Sequence, residues 1–356
     1  MNKMRLVLET GEVFEGGSCG AEVCTVGEIV FNTSMVGYQE VISDPAYTGQ
    51  LVVMTYPLIG QYGIMDEDYE SRALGPAGLI VREYCDTPSN FRYTKTLGEL
   101  LEEHDIPCLC GPDTRMLTRI IRDHSCLKAA LVTEDVSVEK ALMMIKEFVP
   151  QGNPVAGVSC RKRSFSRTPH HKLDVVAIDC GIKQAVVRQL NERGCNVTTV
   201  PFDSSVDDIL SFKPDGVMVS SGPGRAEALP ELVKVIRELK ERIPVFGIGL
   251  GCQLIGLACG AGTVRLDCGH HGGDAVRKME DGSIVIAELN HDYALDEASL
   301  EGTGLEITHR NVSDGSVQGV REASGRVCGV QFLPEGGPGP VIGEFFDGFV
   351  KAMEEV

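Results

Sequence analysis

The sequence predicts an α/β protein: a strand-rich, mixed first region followed by a doubly wound parallel sheet. Short strand patterns with few helices fill residues 1–150. Regular strand–helix alternation begins at Leu173 and implies parallel strands with helices on both faces. Between the two, residues 151–172 hold Gly152, Pro154, Gly157 and a basic run without hydrophobic periodicity, which reads as a linker. The expected divisions are therefore 1–150, 151–172 and 173–356. At 356 residues, each folded part is long enough to bury its own core.

In the first region Arg5-Leu6-Val7-Leu8-Glu9 alternates as a strand, and Glu28-Ile29-Val30-Phe31-Asn32-Thr33-Ser34 gives another. Leu51-Val52-Val53-Met54 and Gly78-Leu79-Ile80-Val81 are apolar runs of the buried-strand type. Asp113 is a natural N-cap for an amphipathic helix through Arg122, because its carboxylate can accept the orphan N–H groups of a first turn. A second helix is expected over 136–148. In the second region Asp174-Val175-Val176-Ala177-Ile178-Asp179 is a buried strand, followed by a helix over 181–193 that Gly194 closes. A strand over 196–201 precedes a short helix near 205–212. Gly216-Val217-Met218-Val219-Ser220 is the next strand, then a helix over 227–241 and a strand over 243–248. An apolar helix over 250–259 ends at Gly260.

With 43% hydrophobic and 24% charged residues, the composition is that of a soluble globular protein. No apolar run approaches a membrane span, and the first residues lack the apolar core of a signal peptide, so a cytoplasmic location without a membrane partner is expected. A formal charge of −18 argues against a nucleic-acid partner. The 13 cysteines form no C-x-x-C pair and read as small buried hydrophobes of a reducing compartment, with no metal site. The run from Arg161 to Lys172 is either a solvated connector or a contact for an acidic partner.

The chemistry concentrates at Val245-Phe246-Gly247-Ile248-Gly249-Leu250-Gly251-Cys252-Gln253. An apolar strand runs into a glycine corner and an apolar helix leaves it. Such a corner holds a nucleophile on a strained turn, with the next N–H aimed at an oxyanion. Sites in open parallel sheets form at strand carboxyl ends, where Gly222-Pro223-Gly224 also lies. A phosphate cradle is the other reading of such a corner. Its spacing fails, because Cys252 stands where a third glycine is needed and no Gly-Lys-Ser/Thr follows.

Further segments fall into the order of one family. In the first region these are Phe31-Asn32-Thr33-Ser34-Met35-Val36-Gly37-Tyr38-Gln39-Glu40, Asp44-Pro45-Ala46-Tyr47, Thr55-Tyr56-Pro57-Leu58-Ile59-Gly60 and Asp113-Thr114-Arg115. In the second they are Ser221-Gly222-Pro223-Gly224, the glycine corner, Gly269-His270-His271-Gly272-Gly273, Asn290-His291 and Pro334-Glu335. Over essentially its whole length the chain resembles the small subunit of carbamoyl-phosphate synthase, within the class I glutamine amidotransferases. The resemblance implies a flavodoxin-like amidotransferase domain and a glutamine pocket. Ser34 and the backbones of Gly222 and Gly224 would surround the substrate, and the N–H groups of Leu250 and Gly224 would serve the oxyanion. Gln253 would hold the α-groups, and Asn290 and Tyr293 would complete the wall. The resemblance further implies a large synthetase subunit that carries ATP and Mg, with no cofactor in this chain.

The departures lie where hydrolysis belongs. The family's corner reads Gly-x-Cys-x-Gly, and here the Cys position is Gly249. The His three residues on is Cys252, and the general base of Gln-x-His-Pro-Glu is Leu333. Asp292 replaces a Gly, and Arg225-Ala226 replaces Asp-Pro. Of the triad only Glu335 remains. Cleaving a carboxamide through a thioester needs a thiolate, a base and oxyanion donors. The sequence thus points to a pseudo-glutaminase supporting carbamoyl phosphate formation, for arginine or pyrimidine biosynthesis, beside a large subunit that takes ammonia. Two readings stand next to it. One is an active glutaminase with a relocated nucleophile such as Cys252, served by His270 or His271 of a polar loop. The other is a glutamine-sensing binding protein.

Overall fold

The computed structural model describes residues 2–71, 73–124, 126–150 and 152–355. They form two compact units, Met1–Gly152 with Asp267–His271, and Asn153–Leu266 with Gly272–Val356. Gln151, the first residue of the expected linker, lies outside the described residues, as do the terminal Met1 and Val356.

The first unit holds strands β1 (Lys3–Leu8), β2 (Val13–Ser18), β3 (Thr25–Asn32), β4 (Gln50–Met54), β5 (Leu58–Ile59), β6 (Gly78–Val81), β7 (Glu83–Tyr84), β8 (Cys108–Cys110) and β9 (Lys128–Thr133). Seven of them close a barrel in the order β1-β2-β8-β6-β4-β3-β9, and β5 pairs separately with β7. The barrel mixes parallel pairs (β3–β4, β4–β6, β6–β8) with antiparallel ones (β1–β2, β1–β9). Period-two alternation sorts the side chains. Leu6, Leu8, Ile29, Leu51, Val53, Ile80 and Leu131 share one cluster with Leu117 and Ile121 of helix α3 (Thr114–Arg122). Val30, Val52, Met54, Leu79 and Val81 turn to the other face, against helices α1 (Tyr38–Ile42) and α2 (Leu97–Glu103). Asp113 caps α3 as its sequence position implies, accepting the Met116 N–H at 2.9 Å. The helix expected over 136–148 is α4 (Val138–Glu147).

Strand β3 stops at Asn32, two residues before the expected end, because Asn32 folds back on the chain. Its Oδ1 accepts the Ser34 N–H at 2.8 Å and its Nδ2 donates to the Tyr47 hydroxyl at 2.9 Å.

The second unit opens with helix α5 (Pro154–Val158) and strand β10 (Ser164–Ser166). Residues expected to be a linker are therefore structured. Asp179 Oδ2 accepts the Cys160 N–H at 2.8 Å, and β10 pairs antiparallel with β12 (Cys195–Pro201). Then follow β11 (Leu173–Asp179), α6 (Gln184–Glu192), α7 (Val206–Ser211), β13 (Gly216–Val219), α8 (Pro230–Leu239), β14 (Val245–Ile248) and α9 (Leu250–Cys259). Beyond these come β15 (Thr263–Lys278), β16 (Ile284–Leu295), β17 (Leu305–Asn311), β18 (Val317–Glu322), β19 (Val327–Val330) and α10 (Gly343–Glu354).

The sheet order is β10-β12-β11-β13-β14-β19-β18-β17-β15-β16. Strands β12, β11, β13, β14 and β19 are parallel, the doubly wound core that the alternation implies. The sheet as a whole is mixed, because between α9 and α10 the chain runs mainly as strands, and β18, β17 and β15 extend it antiparallel. Along β11, Val175 and Ala177 pack with α6 and α10, while Val176 and Ile178 pack with α7, α8 and α9. Gly269-His270-His271-Gly272-Gly273, expected as a polar loop, is part of the long strand β15. Among the described residues no helix is long and apolar enough to cross a membrane.

One buried ion pair ties the start of α6 to the segment after β19. Lys183 Nζ lies 3.1 Å from Glu335 Oε1, with the two side chains 1% and 0% exposed. The ammonium also donates to the carbonyls of Gly336 (3.2 Å) and Gly337 (3.3 Å). Removing one partner of such a pair strands a desolvated charge, whereas removing both does not. Lys183→Met is expected to destabilise this unit by about 3–5 kcal/mol. Lys183→Met with Glu335→Leu should recover most of that loss. Urea unfolding followed by circular dichroism checks both, and a double variant no more stable than the single one contradicts the pairing.

Candidate functional site

Strand β14 delivers the chain to the corner between β13 and β19. Gly249 follows at φ 56°, ψ −113°, a conformation strained for any residue with a side chain. Its N–H donates to the Val330 carbonyl at 2.8 Å, and its own carbonyl accepts from Cys252 at 3.0 Å, so the corner is fixed at both ends. Leu250 opens α9, and the first N–H groups of a helix have no partner within it. The corner thus sets the start of α9 at the carboxyl end of β14.

The three corner glycines answer to different constraints. A Cβ on Gly251 would run into the Val219 carbonyl oxygen, and one on Gly247 would sit 2.5 Å from Gly251 backbone atoms. Those two are glycine because helix and strands meet too closely for anything else. A Cβ on Gly249 would meet only the Ser221 side chain, at 3.2 Å, and the Gln331 carbonyl oxygen at 4.0 Å. Space for a side chain exists there, given a shift of a few tenths of an ångström by Ser221. Gly222 and Gly224 are confined like Gly251: a Cβ would strike the Cys180 carbonyl in the first case and Pro154 Cγ, at 2.8 Å, in the second.

Three buried polar atoms around this corner have no hydrogen-bond partner among the described residues: Ser221 Oγ, Gln253 Oε1 and Gln331 Nε2. Gln253 spends its amide nitrogen on the Tyr293 carbonyl at 2.8 Å and lies 3.4 Å from Gln331 Oε1. Two donors and one acceptor near the corner are thus left unsatisfied, which is unfavourable for buried polar groups. Sequence reasoning passed over Ser221 as part of a glycine motif.

Leu333, expected where a base belongs, is 2% exposed and packs with Phe332, Leu289 and Ala287. Its N–H donates to the Glu288 carbonyl at 2.8 Å. Glu335 is held by Lys183. Lys183 also went unnoticed in the sequence, although a lone lysine just past the carboxyl end of a buried strand is a signal. Asp179 sets its turn by accepting the N–H groups of Gly181 (2.9 Å) and Ile182 (2.8 Å).

Asn290, Asp292 and Tyr293 lie on β16, and Arg265 sits over the Tyr293 ring at 5.5 Å. Ser34 belongs to the first unit and is 8% exposed. His271 is in that unit too, where its carbonyl accepts the Thr33 N–H at 3.2 Å.

Cys252 lacks the exposed, polar surroundings that a relocated nucleophile needs. It is 1% exposed in an apolar cluster with Leu295, Leu300, Val317 and Val320, and its sulfur packs against Gly329. Burial, then the neighbouring Cys328, pushes its thiol well above the usual range, the opposite of what a reactive thiolate needs. A cleft of about 640 Å³, lined by Phe246, Lys278, His309, Arg321, Phe345 and Lys351 among others, includes none of the corner residues 249–253.

The chain matches two family models: carbamoyl-phosphate synthase small chain, CPSase domain, over residues 6–131, and glutamine amidotransferase class-I over 176–352. The carbamoyl phosphate synthase small chain of Staphylococcus saprophyticus is 43% identical, the match covering 100% of this chain and 97% of that one. The small chain of Fusobacterium nucleatum is 43% identical over 99% of both chains. The pyrimidine-specific small chain of Halalkalibacterium halodurans is 44% identical over 99% of this chain and 97% of its own. With both domains matched and similarity running end to end, the chain belongs to the carbamoyl-phosphate synthase small-chain family and carries a class I glutamine amidotransferase domain.

Proposed function

We propose that this chain is a small subunit that supports carbamoyl phosphate synthesis without hydrolysing glutamine itself, so that its complex draws on free ammonia. The observation that supports this most is Gly249 at the strained corner. The turn, the helix start and the neighbouring glycines form a frame for a nucleophile, and the residue at its centre has no atom to attack with. Thioester formation requires a sulfur to bond the amide carbon, a base to take the thiol proton, and ammonia to leave. Gly249 supplies no sulfur and Leu333 no proton acceptor. Loss of a triad nucleophile alone costs about 10⁶ in turnover, roughly 8 kcal/mol of barrier, and loss of the base adds little because the triad acts as a unit.

The partner in this reading is a large, ATP- and Mg-using synthetase subunit in the cytoplasm, and the product serves arginine or pyrimidine biosynthesis. Retention of the whole first unit, which holds none of the triad positions, supports selection for docking. The second unit keeps residue types suited to glutamine: Gln253 Oε1 is an acceptor fit for an α-ammonium, and Gly222, Gly224, Leu250 and Asn290 are retained, as is Ser34 in the first unit. Arg225 and Asp292 add charges to the segments that would form a pocket rim, so binding is expected to be weak. A calorimetric Kd of about 1 mM or above agrees with this. Micromolar glutamine binding would favour the sensing role instead.

Co-expressed with its cognate large subunit, the chain should give a complex that makes carbamoyl phosphate from ammonium and not from glutamine. Cys252→Ala should leave both rates unchanged. Glutamine-dependent synthesis at ordinary amidotransferase rates, abolished by Cys252→Ala, would overturn the proposal. Gly249→Cys alone should release no ammonia from glutamine, because the thiol has no base. Gly249→Cys with Leu333→His should restore a fraction of a typical turnover of about 10 s⁻¹, read by a coupled ammonia assay. Equal activity of the single and double variants contradicts the role given to position 333.

A further inference from the structure

The segment 161–172 is the one strongly basic stretch of an acidic chain, and the function above makes no use of it. No Asp or Glu occurs from Phe148 to Leu173, while Arg161, Lys162, Arg163, Arg167 and Lys172 fall within it. The structure places this run on an edge of the ten-stranded sheet. β10 pairs through Ser164↔Thr199, Phe165↔Thr198 and Ser166↔Val197 with β12, and among the described residues no strand lies on its other side. An outer strand presents alternate N–H and C=O groups that no ladder satisfies.

The edge is held firmly. Before β10, the Cys160 N–H donates to Asp179 at 2.8 Å and Ser159 Oγ accepts the Phe202 N–H at 3.1 Å. After it, Ser166 Oγ bonds Asn191 Oδ1 and the Thr168 N–H bonds Asn196 Oδ1, both at 3.1 Å. Arg163 lies over the Phe212 ring at 5.5 Å and Arg167 over the Phe165 ring at 5.3 Å, which fixes both guanidiniums near the strand.

The charges are also unspent. Several cations elsewhere do pair: Arg5 with Glu15, Lys95 with Glu103, Arg193 with Asp347, Lys278 with Glu344 and Arg310 with Glu297. None of Arg161, Lys162, Arg163, Arg167 and Lys172 lies within salt-bridge distance of a carboxylate among the described residues. Phe165, between them, is 53% exposed. A solvated face interleaves both signs, and this one does not.

We propose that β10 and its basic flanks form a docking edge for an extended acidic polypeptide segment, which adds to the sheet as a further strand. Main-chain hydrogen bonds would supply the pairing, with alternate Asp or Glu side chains meeting the cations and apolar ones covering Phe165. A second copy of the chain is a poor occupant in edge-to-edge pairing, because it would set basic run against basic run. The inference stands apart from the question of glutamine hydrolysis.

Full-length protein titrated with a fluorescent peptide of alternating glutamate and valine tests this. Saturable binding is expected, weakened roughly tenfold by Arg161→Glu, Lys162→Glu and Arg167→Glu together, and weakened by salt. Amide exchange over 162–167 should slow when the peptide binds. If the triple reversal unfolds the unit, Arg161→Ala with Lys162→Ala carries the same test with a smaller loss. Equal binding by the variants, no binding at low salt, or binding without slowed exchange at 162–167 overturns the proposal. So does stronger binding of a DNA duplex than of the peptide.

Discussion

The second unit depends on how closely one helix approaches one sheet. Helix α9 comes so near β13 that Gly251 has no room for a methyl group under the Val219 carbonyl, and Gly247 has almost none beside Gly251. That approach places the first N–H of α9 at the end of β14 and turns Gly249 into left-handed space. It also orients the apolar side of α9, through Leu254 and Ile255, into the core it shares with α8. The corner is a consequence of packing, and it persists whether or not position 249 carries a reactive group.

This separation of scaffold from chemistry lets the frame stand around a glycine that carries no side chain. The Lys183–Glu335 pair holds the turn after β11 to the segment after β19, with two carbonyls completing the ammonium's hydrogen bonds. The Glu335 carboxylate thereby has a stabilising partner that does not depend on a histidine. Leu333, in contrast, continues the apolar cluster formed by Phe332, Leu289 and Ala287. One position of the motif is retained by electrostatics and its neighbour is absorbed into the core.

Much of this was legible in the residues. Four of the five parallel strands, the helix over 250–259 and the Asp113 cap follow from apolar periodicity and local hydrogen-bonding chemistry, which operate over a few residues. What was not legible involves distant partners. Phe165 lacks any periodic context, so β10 is recognisable only once β12 lies beside it. The end of β3 at Asn32 depends on Tyr47, and the loop expected at Gly269-His270-His271-Gly272-Gly273 is a strand because long-range pairing outweighs glycine's local preference. The burial of Cys252 shows the same limit, since its spacing from the corner was visible and its apolar surroundings were not.

The central claim is that the corner forms no covalent intermediate. It is tested most directly by incubating the complex with glutamine, quenching in acid within one turnover, and measuring the intact mass of this chain. An unmodified mass at saturating glutamine is the predicted result. A γ-glutamyl adduct on any thiol, located by peptide mapping to Cys252 or another cysteine, would contradict the account.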